Sequence, residues 1–198
     1  MRIATTLFAL ALLTAPVLAQ SSTSEQPLQP GTWALQFRIT DNFTLGSFRG
    51  SVLSAQYQRQ EDRAVRVGVT LTSVGTELEI GNGEVTNSDT QFSLQGDYVL
   101  YLRTTDTVVP FWGLGPGLGF ALEEGGGGEE RTSFSLQGRA FVGAEWFVAP
   151  PISLTAEYAL TADHAWQTTE EEGVLARERD SRRWSVRGGV LFGVTVRF

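Results

Sequence analysis

The stretch that decides the fold is the last one, "GGVLFGVTVRF", Gly188 to Phe198. Phe198, Val196, Val194, Phe192 and Val190 are apolar at every second position, while Arg197, Thr195 and Gly193 between them are polar or small. A period of two marks a β-strand with one apolar face. The pattern recurs upstream. Trp33, Leu35, Phe37 and Ile39 alternate with Ala34, Gln36 and Arg38; Leu53, Ala55 and Tyr57 form a weaker second run; Val65, Val67, Val69 and Leu71 alternate with Arg66, Gly68 and Thr70. In a fourth run Phe92, Leu94, Tyr98, Leu100 and Leu102 oppose Gln95, Asp97 and Tyr101. In a fifth, Trp112, Leu114, Leu118 and Phe120 oppose Gly113, Gly115, Gly117 and Gly119. Phe134, Leu136, Ala140, Val142 and Trp146 mark a sixth, and Ile152, Leu154, Ala156, Tyr158 and Leu160 a seventh. The terminal stretch from Trp184 is the eighth, and no segment competes as a helix of useful length.

Composition narrows the class. The chain has 198 residues, of which 41% are hydrophobic, enough for one folded domain. Its formal net charge is −7, and all 15 basic residues are arginine, which argues against nucleic acid as a partner. Cysteine is absent, so disulfides, thiolate metal sites and thiol nucleophiles are excluded together.

The amino-terminus sets the compartment. "MRIATTLFALALLTAPVLAQ" carries one positive charge at Arg2, an apolar run from Leu7 to Leu13, Pro16, and small-x-small spacing at Val17-Leu18-Ala19. These features predict a secretory signal over residues 1–19, cleaved after Ala19. The apolar run is too short for a spanning helix, which needs about 20 residues. The polar, proline-containing residues 20–30 read as a flexible leader, and the folded domain is expected over 31–198. With no later apolar stretch long enough to span, membrane entry requires a closed barrel, because only helices and barrels satisfy every backbone group in lipid.

The connections favour that barrel. Residues 59–63, 104–107 and 148–151 make short links, whereas 73–90, 123–132 and 161–183 make long polar ones; the first link, "TDNFTLGSFRG", is also longer. Strict alternation of short and long is the pattern of a transmembrane barrel, with tight turns at one rim and extended loops at the other. The polar faces carry Arg38, Arg66, Asp97, Arg103, Arg139, Glu145, Glu157 and Arg187, both signs drawn from many strands. An eight-stranded barrel is just wide enough for side chains to fill, so these are expected to pair in the lumen. Trp33, Tyr57, Trp112, Trp146 and Trp184 are candidate interfacial aromatics. The expected fold is therefore all-β, an eight-stranded antiparallel up-and-down transmembrane β-barrel closed by its first and last strands.

The terminal strand, with Phe192, Val194 and Val196 leading to Phe198, resembles the carboxy-terminal signal by which bacterial outer-membrane barrels are recognised by their insertion machinery. From Gly31 onward the chain resembles the small eight-stranded outer-membrane barrels typified by the OmpA membrane domain and OmpX. "PFWGLGPGLGF", Pro110 to Phe120, is similar to the aromatic-glycine strand of many bacterial outer membrane protein β-barrel sequences. Pro116 departs from an ideal strand because it lacks a donor for the ladder, and a bulge or a lost bond is expected there. The resemblance implies the outer membrane of a Gram-negative-type bacterium as location. Outer-membrane lipids and lipopolysaccharide, and the barrel assembly machinery during insertion, are the implied partners.

The expected role is structural or interaction-based at the cell surface, with charged side chains filling the lumen and long extracellular loops. Three alternatives stay open: narrow-pore transport of ions or small solutes, a lipid A-modifying enzyme, and a soluble periplasmic lipocalin-like binder. An enzyme would need His164, the only histidine, in "TADHAWQTT" at the start of the last long link; Asp163 adjoins it and Thr161 or Thr168 could approach. The arrangement typical of lipid A deacylases, His-x-Ser, is missing, so a solvated loop histidine is the expectation. Glu145 and Glu157 on neighbouring strands imitate a carboxylate dyad, but arginines on the same face favour charge pairing. No catalytic residue, cofactor or metal is expected. Among the links, Asn82-Gly83 is a hairpin signal that predicts protrusion of the third and fourth strands. "EEGGGGEERTS" reads as a spacer, since it lacks the lysine and helix of a phosphate-binding loop. In the last link, Glu170 to Glu172 and Arg179, Arg182 and Arg183 suggest a charged hairpin, cation contacts or lipopolysaccharide contacts.

Overall fold

The computed structural model describes residues 28–44, 49–80, 83–102, 107–125, 129–171 and 177–198. Eight strands form one closed antiparallel barrel in sequence order. They are β1 (Trp33–Thr44), β2 (Arg49–Gln60), β3 (Arg63–Ile80), β4 (Gly83–Tyr101), β5 (Val108–Gly125), β6 (Glu129–Ala149), β7 (Ile152–Glu171) and β8 (Arg177–Arg197). Closure is by β1 against β8, from Ala34↔Arg197 to Thr40↔Leu191. Beyond it, Phe198 N–H donates to the Trp33 carbonyl at 2.9 Å and Trp33 N–H to the Phe198 carbonyl at 3.2 Å. The last residue thus seals the seam with the first strand.

Alternation places each residue as the period demands, but inside out relative to a soluble protein. Trp33, Leu35, Val67, Leu114, Leu118, Val142, Leu160 and Phe192 face outward and are exposed, while Arg38, Arg66, Asp97, Glu145 and Glu157 are buried inside. An apolar exterior around a charged interior suits lipid as the solvent. The belt's height agrees. From Phe134 to Trp146, both outward on β6, the chain takes twelve strand steps. At about 3.4 Å per step and a tilt of about 45°, they span roughly 30 Å, the thickness of a bilayer's hydrocarbon.

Trp33, Tyr57, Trp112 and Trp146 lie toward the rim that carries the chain ends and the short connections, hereafter the turn rim; Trp33 and Tyr57 rings stand 5.0 Å apart. Trp184 lies at the opposite rim, where Phe134 stacks on Trp166 at 5.8 Å. Trp166 is a further outward aromatic at this rim that alternation did not pick out, because its same-face neighbours along β7, His164 and Thr168, are polar.

The links expected as long loops are largely strand. The β3–β4 ladder runs to Ile80↔Gly83, β5–β6 to Gly125↔Glu129, and β7–β8 to Glu171↔Arg177. The β3–β4 extension is the protrusion that the Asn82-Gly83 signal predicts; in the other two ribbons the largely polar sequence suits paired strand in water as well as it suits a loop, so loss of apolar alternation there does not mark the end of the strand. These ribbons carry the barrel beyond its belt at the rim opposite the turns, hereafter the ribbon rim.

Three local irregularities follow from sequence. The β1–β2 register, hard to read in the sequence, holds from Trp33↔Tyr57 to Ile39↔Ser51 and then shifts before Thr44↔Arg49. At Pro116 the β4–β5 pairs skip from Gln95↔Gly117 to Tyr98↔Leu114 with register unchanged, so the bond is lost without a bulge. Finally, Leu28, inside the segment expected to be a flexible leader, is buried with the lumen's apolar residues at 1% exposure. Gly31, at φ 88°, turns the chain back, and its N–H donates to the Gln58 carbonyl at 2.8 Å. Only glycine adopts that φ without strain. Leu28→Ala is expected to lower stability by about 2 kcal/mol, measured as the urea midpoint of the refolded barrel. An unchanged midpoint would mean that the leucine is not packed in solution.

Candidate functional site

The interior side chains assemble into two buried clusters and a third at the ribbon rim. The central cluster arises because inward positions of β1, β3, β4, β6 and β7 reach one level of the lumen. Arg38 Nη1 donates to Glu157 Oε1 at 3.3 Å, and Arg66 Nη1 donates to Glu157 Oε2 at 3.1 Å. Arg66 also grips Asp97 Oδ2 through Nε at 2.9 Å and Nη2 at 2.7 Å. Arg139 donates through Nη1 to Asp97 Oδ2 at 3.2 Å and through Nη2 to Glu157. Three guanidinium groups therefore share two carboxylates, leaving one formal positive charge. Gln36 Oε1 accepts from Arg66 at 3.2 Å, and Ser54 Oγ from Arg38 at 3.0 Å, which spreads that charge over neutral acceptors. The Phe141 ring lies 4.7 Å from the Arg66 guanidinium carbon and 5.0 Å from that of Arg139. Aromatic faces are attractive sites for guanidinium groups.

The second cluster closes the turn-rim half. Glu145 accepts from Arg197, Ser153 and Tyr101, the last at 2.9 Å. Arg197 Nη1 donates to Ser153 Oγ at 2.9 Å, and its guanidinium carbon lies 4.6 Å from the Phe147 ring centre. Gln56 Nε2 donates to Tyr101 at 3.0 Å. Tyr101, Phe111 and Phe141 pack in series, 5.8 and 6.2 Å between centres. The third cluster is a pair at the mouth, where Arg187 donates to Asp163 Oδ1 at 3.0 Å and Ser185 to the same oxygen at 2.7 Å.

Of the expected lumen residues, Arg38, Arg66, Asp97, Arg139 and Glu157 meet in the centre, and Glu145 anchors the second cluster. Arg187 faces inward but stands at the mouth with its side chain 68% exposed, so it belongs to neither buried cluster. Its parity was readable in the sequence; its height was not. Arg103 lies outside the described residues. Glu145 and Glu157 hold separate arginines and form no dyad. Arg197, Tyr101, Ser153 and Asp163 also belong to the interior set. The alternation already placed Arg197 and Tyr101 opposite apolar faces, but nothing local showed that both would converge on Glu145.

His164 is corrected most. It lies in β7, not in a loop, opposite Trp184. Its ring stands 4.3 Å from Trp166 and 4.2 Å from Trp184, facing outward with them. Asp163 beside it turns inward to Arg187 and Ser185, and Thr161 has the same inward parity; Thr168 shares the outward face but donates to Asp180 at 3.0 Å. Among the described residues no group of three or more metal-binding side chains occurs.

A closed eight-stranded barrel with an apolar belt and an ion-paired lumen defines the class. No protein-family model matches the chain, and no curated protein is significantly similar to it. Solved structures do match. The outer membrane protein OprG of Pseudomonas aeruginosa superposes with a TM-score of 0.64 at 14% identity, over 87% of this chain and 98% of that one. Neisserial surface protein A, NspA, superposes with a TM-score of 0.51 at 19% identity, over 85% of this chain and 97% of that one. The chain has the fold of the small eight-stranded outer-membrane barrels.

Proposed function

We propose that the protein is an integral outer-membrane barrel, exported by residues 1–19, whose role is structural or interaction-based and whose working surface is the set of ribbons beyond the bilayer. The observation that carries this is the filled lumen. Arg38 and Arg66 are buried within the central cluster, and Glu145, Tyr101, Phe111 and Leu28 occupy the turn-rim half. Filled cross-sections at two levels oppose a continuous water path, which argues against the narrow-pore alternative. An enzymatic role is disfavoured because His164 is packed between two indoles on the outward face. The apolar residues that a soluble lipocalin-like binder would bury are exposed here.

In this proposal the turn rim is periplasmic and the ribbon rim extracellular, as for barrels with short periplasmic turns. The strand ending in Phe192, Val194, Val196 and Phe198 would serve recognition by the insertion machinery. The test is conductance of the purified protein in planar bilayers. No steady unit conductance above the bare bilayer is expected at neutral pH. Reproducible ohmic steps that disappear when Arg66 is changed would make it a pore.

A further inference from the structure

Glu145 with Arg197 and Asp163 with Arg187 are each neutral pairs, so the surplus positive charge of the three clusters stays in the centre, on Arg38, Arg66 and Arg139. Arg38 is 0% and Arg66 1% exposed. A charge held this far from water is costly unless an opposite charge meets it. Gln36 and Ser54 satisfy single N–H groups of the set, but they are neutral.

Hydrogen-bond donors are in surplus at the same place. Arg38 Nε and Gln95 Nε2 are buried donors with no acceptor among the described residues. Gln95 and Ser54 flank Gly68 in one inward cross-strand row, Ser54↔Gly68↔Gln95. Because Gly68 has no side chain, the row is notched in its middle, and both neighbours lean over the notch. The point that a Cβ of Gly68 would take lies 2.8 Å from Gln95 Nε2 and 2.9 Å from Ser54 Oγ. Ser54, itself 2% exposed, accepts from Arg38 Nη2 at 3.0 Å, which leaves its own proton to donate. An amide N–H and a hydroxyl therefore border the notch, with a guanidinium behind them. Asp97 Oδ1, the carboxylate oxygen of the cluster that has no donor, lies instead toward β5, 2.8 Å from the Cβ point of Gly115. One step nearer the mouth the inward residues Ser93, Gly119 and Ser135 are small.

We infer that the notch at Gly68 binds one small monovalent anion such as chloride, held by Gln95 Nε2, the Ser54 hydroxyl and the charge of Arg38. Hydrogen bonds from a charged or polar donor to an anion are the strong ones, and one such ion balances the central cluster. The surplus is a single charge and the donors stand close together, which suits a small ion and not a polyatomic one. The filled turn-rim half makes the site a dead end, so the anion is a structural counter-ion and not a passing solute. The inference depends on the closed lumen and not on the surface role proposed above.

The test is urea unfolding of the chain from Gln20, refolded in detergent, while potassium chloride replaces potassium gluconate at constant ionic strength; gluconate is too large for the notch. A ligand bound only by the folded state adds stability as its concentration rises, so the wild-type midpoint is expected to climb with chloride. Arg38→Gln leaves two arginines to two carboxylates, and Gly68→Ala puts a methyl in the notch. Each should lose the climb while keeping the heat-dependent gel shift of a folded barrel. Arg182→Gln, exposed on the outward face, should retain it. In wild-type crystals soaked in bromide, one anomalous diffraction peak is expected between Gln95 Nε2 and Ser54 Oγ. A midpoint indifferent to the exchange would overturn the site, and so would a climb that persists in Arg38→Gln and Gly68→Ala, since chloride would then act at the surface. If either variant fails to fold, the bromide peak decides: density in the notch supports the site, and peaks only at the mouth or none at all overturn it. A wild type without any gel shift would overturn the closed lumen, and the site with it.

Discussion

Glu157→Gln is expected to destabilise the barrel by about 3–5 kcal/mol, the usual cost of removing one partner from a buried ion-pair set. The size follows from the geometry. Glu157 receives Arg38, Arg66 and Arg139, and its side chain is 1% exposed. Without its charge, three guanidinium groups retain only Asp97, and water is not available to solvate the excess. Urea unfolding in detergent micelles or vesicles measures the loss as a lower midpoint. The double variant Glu157→Gln with Arg38→Gln should recover part of it, because Arg38 bonds Glu157 and no other carboxylate among the described residues. A loss below about 1 kcal/mol, the value typical of solvated surface pairs, would mean that water fills the lumen. The network's net worth relative to an apolar core is a separate quantity, and buried ion pairs often fail to exceed it; what they provide here is a rigid cross-brace between five strands.

Gly115→Ala is expected to cost about 3 kcal/mol or to prevent folding. Its added methyl would sit 1.9 Å from the Gly96 carbonyl oxygen and 2.8 Å from the Asp97 Cα, both backbone atoms with no rotamer to change. Overpacking of this kind typically costs 1–3 kcal/mol, and more when backbone must move. The β4–β5 ladder is already interrupted there opposite Pro116, so the strands have few bonds with which to resist. Gly138→Ala makes the same chemical change one strand away on the open outward face. It should be neutral or stabilising by about 0.5–1 kcal/mol, through reduced backbone freedom of the unfolded chain. Paired denaturation curves that showed equal effects at both positions would contradict the assignment of inward and outward faces.

The faces were legible because alternation in a barrel is enforced by two unlike solvents. Leu114 and Leu118 have lipid outside, Gly113 and Gly115 a crowded lumen inside, and a slip of one residue would exchange them. Strand order was legible for a similar reason, since short links leave consecutive strands no choice but to pair. What alternation does not carry is height along the barrel axis. Arg38 and Glu157 are separated by 119 residues, and their contact depends on the stagger accumulated around the ring. The same stagger carries Arg187 to the mouth, although it shares a face with Arg197. The extension of β3 and β4 was legible in the Asn82-Gly83 signal, and their ladder runs to Ile80↔Gly83; the end of β7 was misjudged, because residues 163–171 lose apolar alternation and yet remain paired. Leu28 left no signal because a single apolar residue in a polar segment has no period.

The most direct test of a lipid-embedded, closed barrel is electrophoretic mobility of the chain from Gln20, refolded in detergent, with and without boiling. A compact form that migrates faster unboiled, and slows only after heating, is the expected result, because a ring of eight paired strands closed by β1 and β8 has no edge at which detergent can begin to peel it. Identical mobility before and after heating, together with a monomer that stays soluble without detergent, would contradict it: the outward rows of Trp33, Leu114, Val142 and Phe192 would then have to be a buried core, and the chain a soluble periplasmic binder.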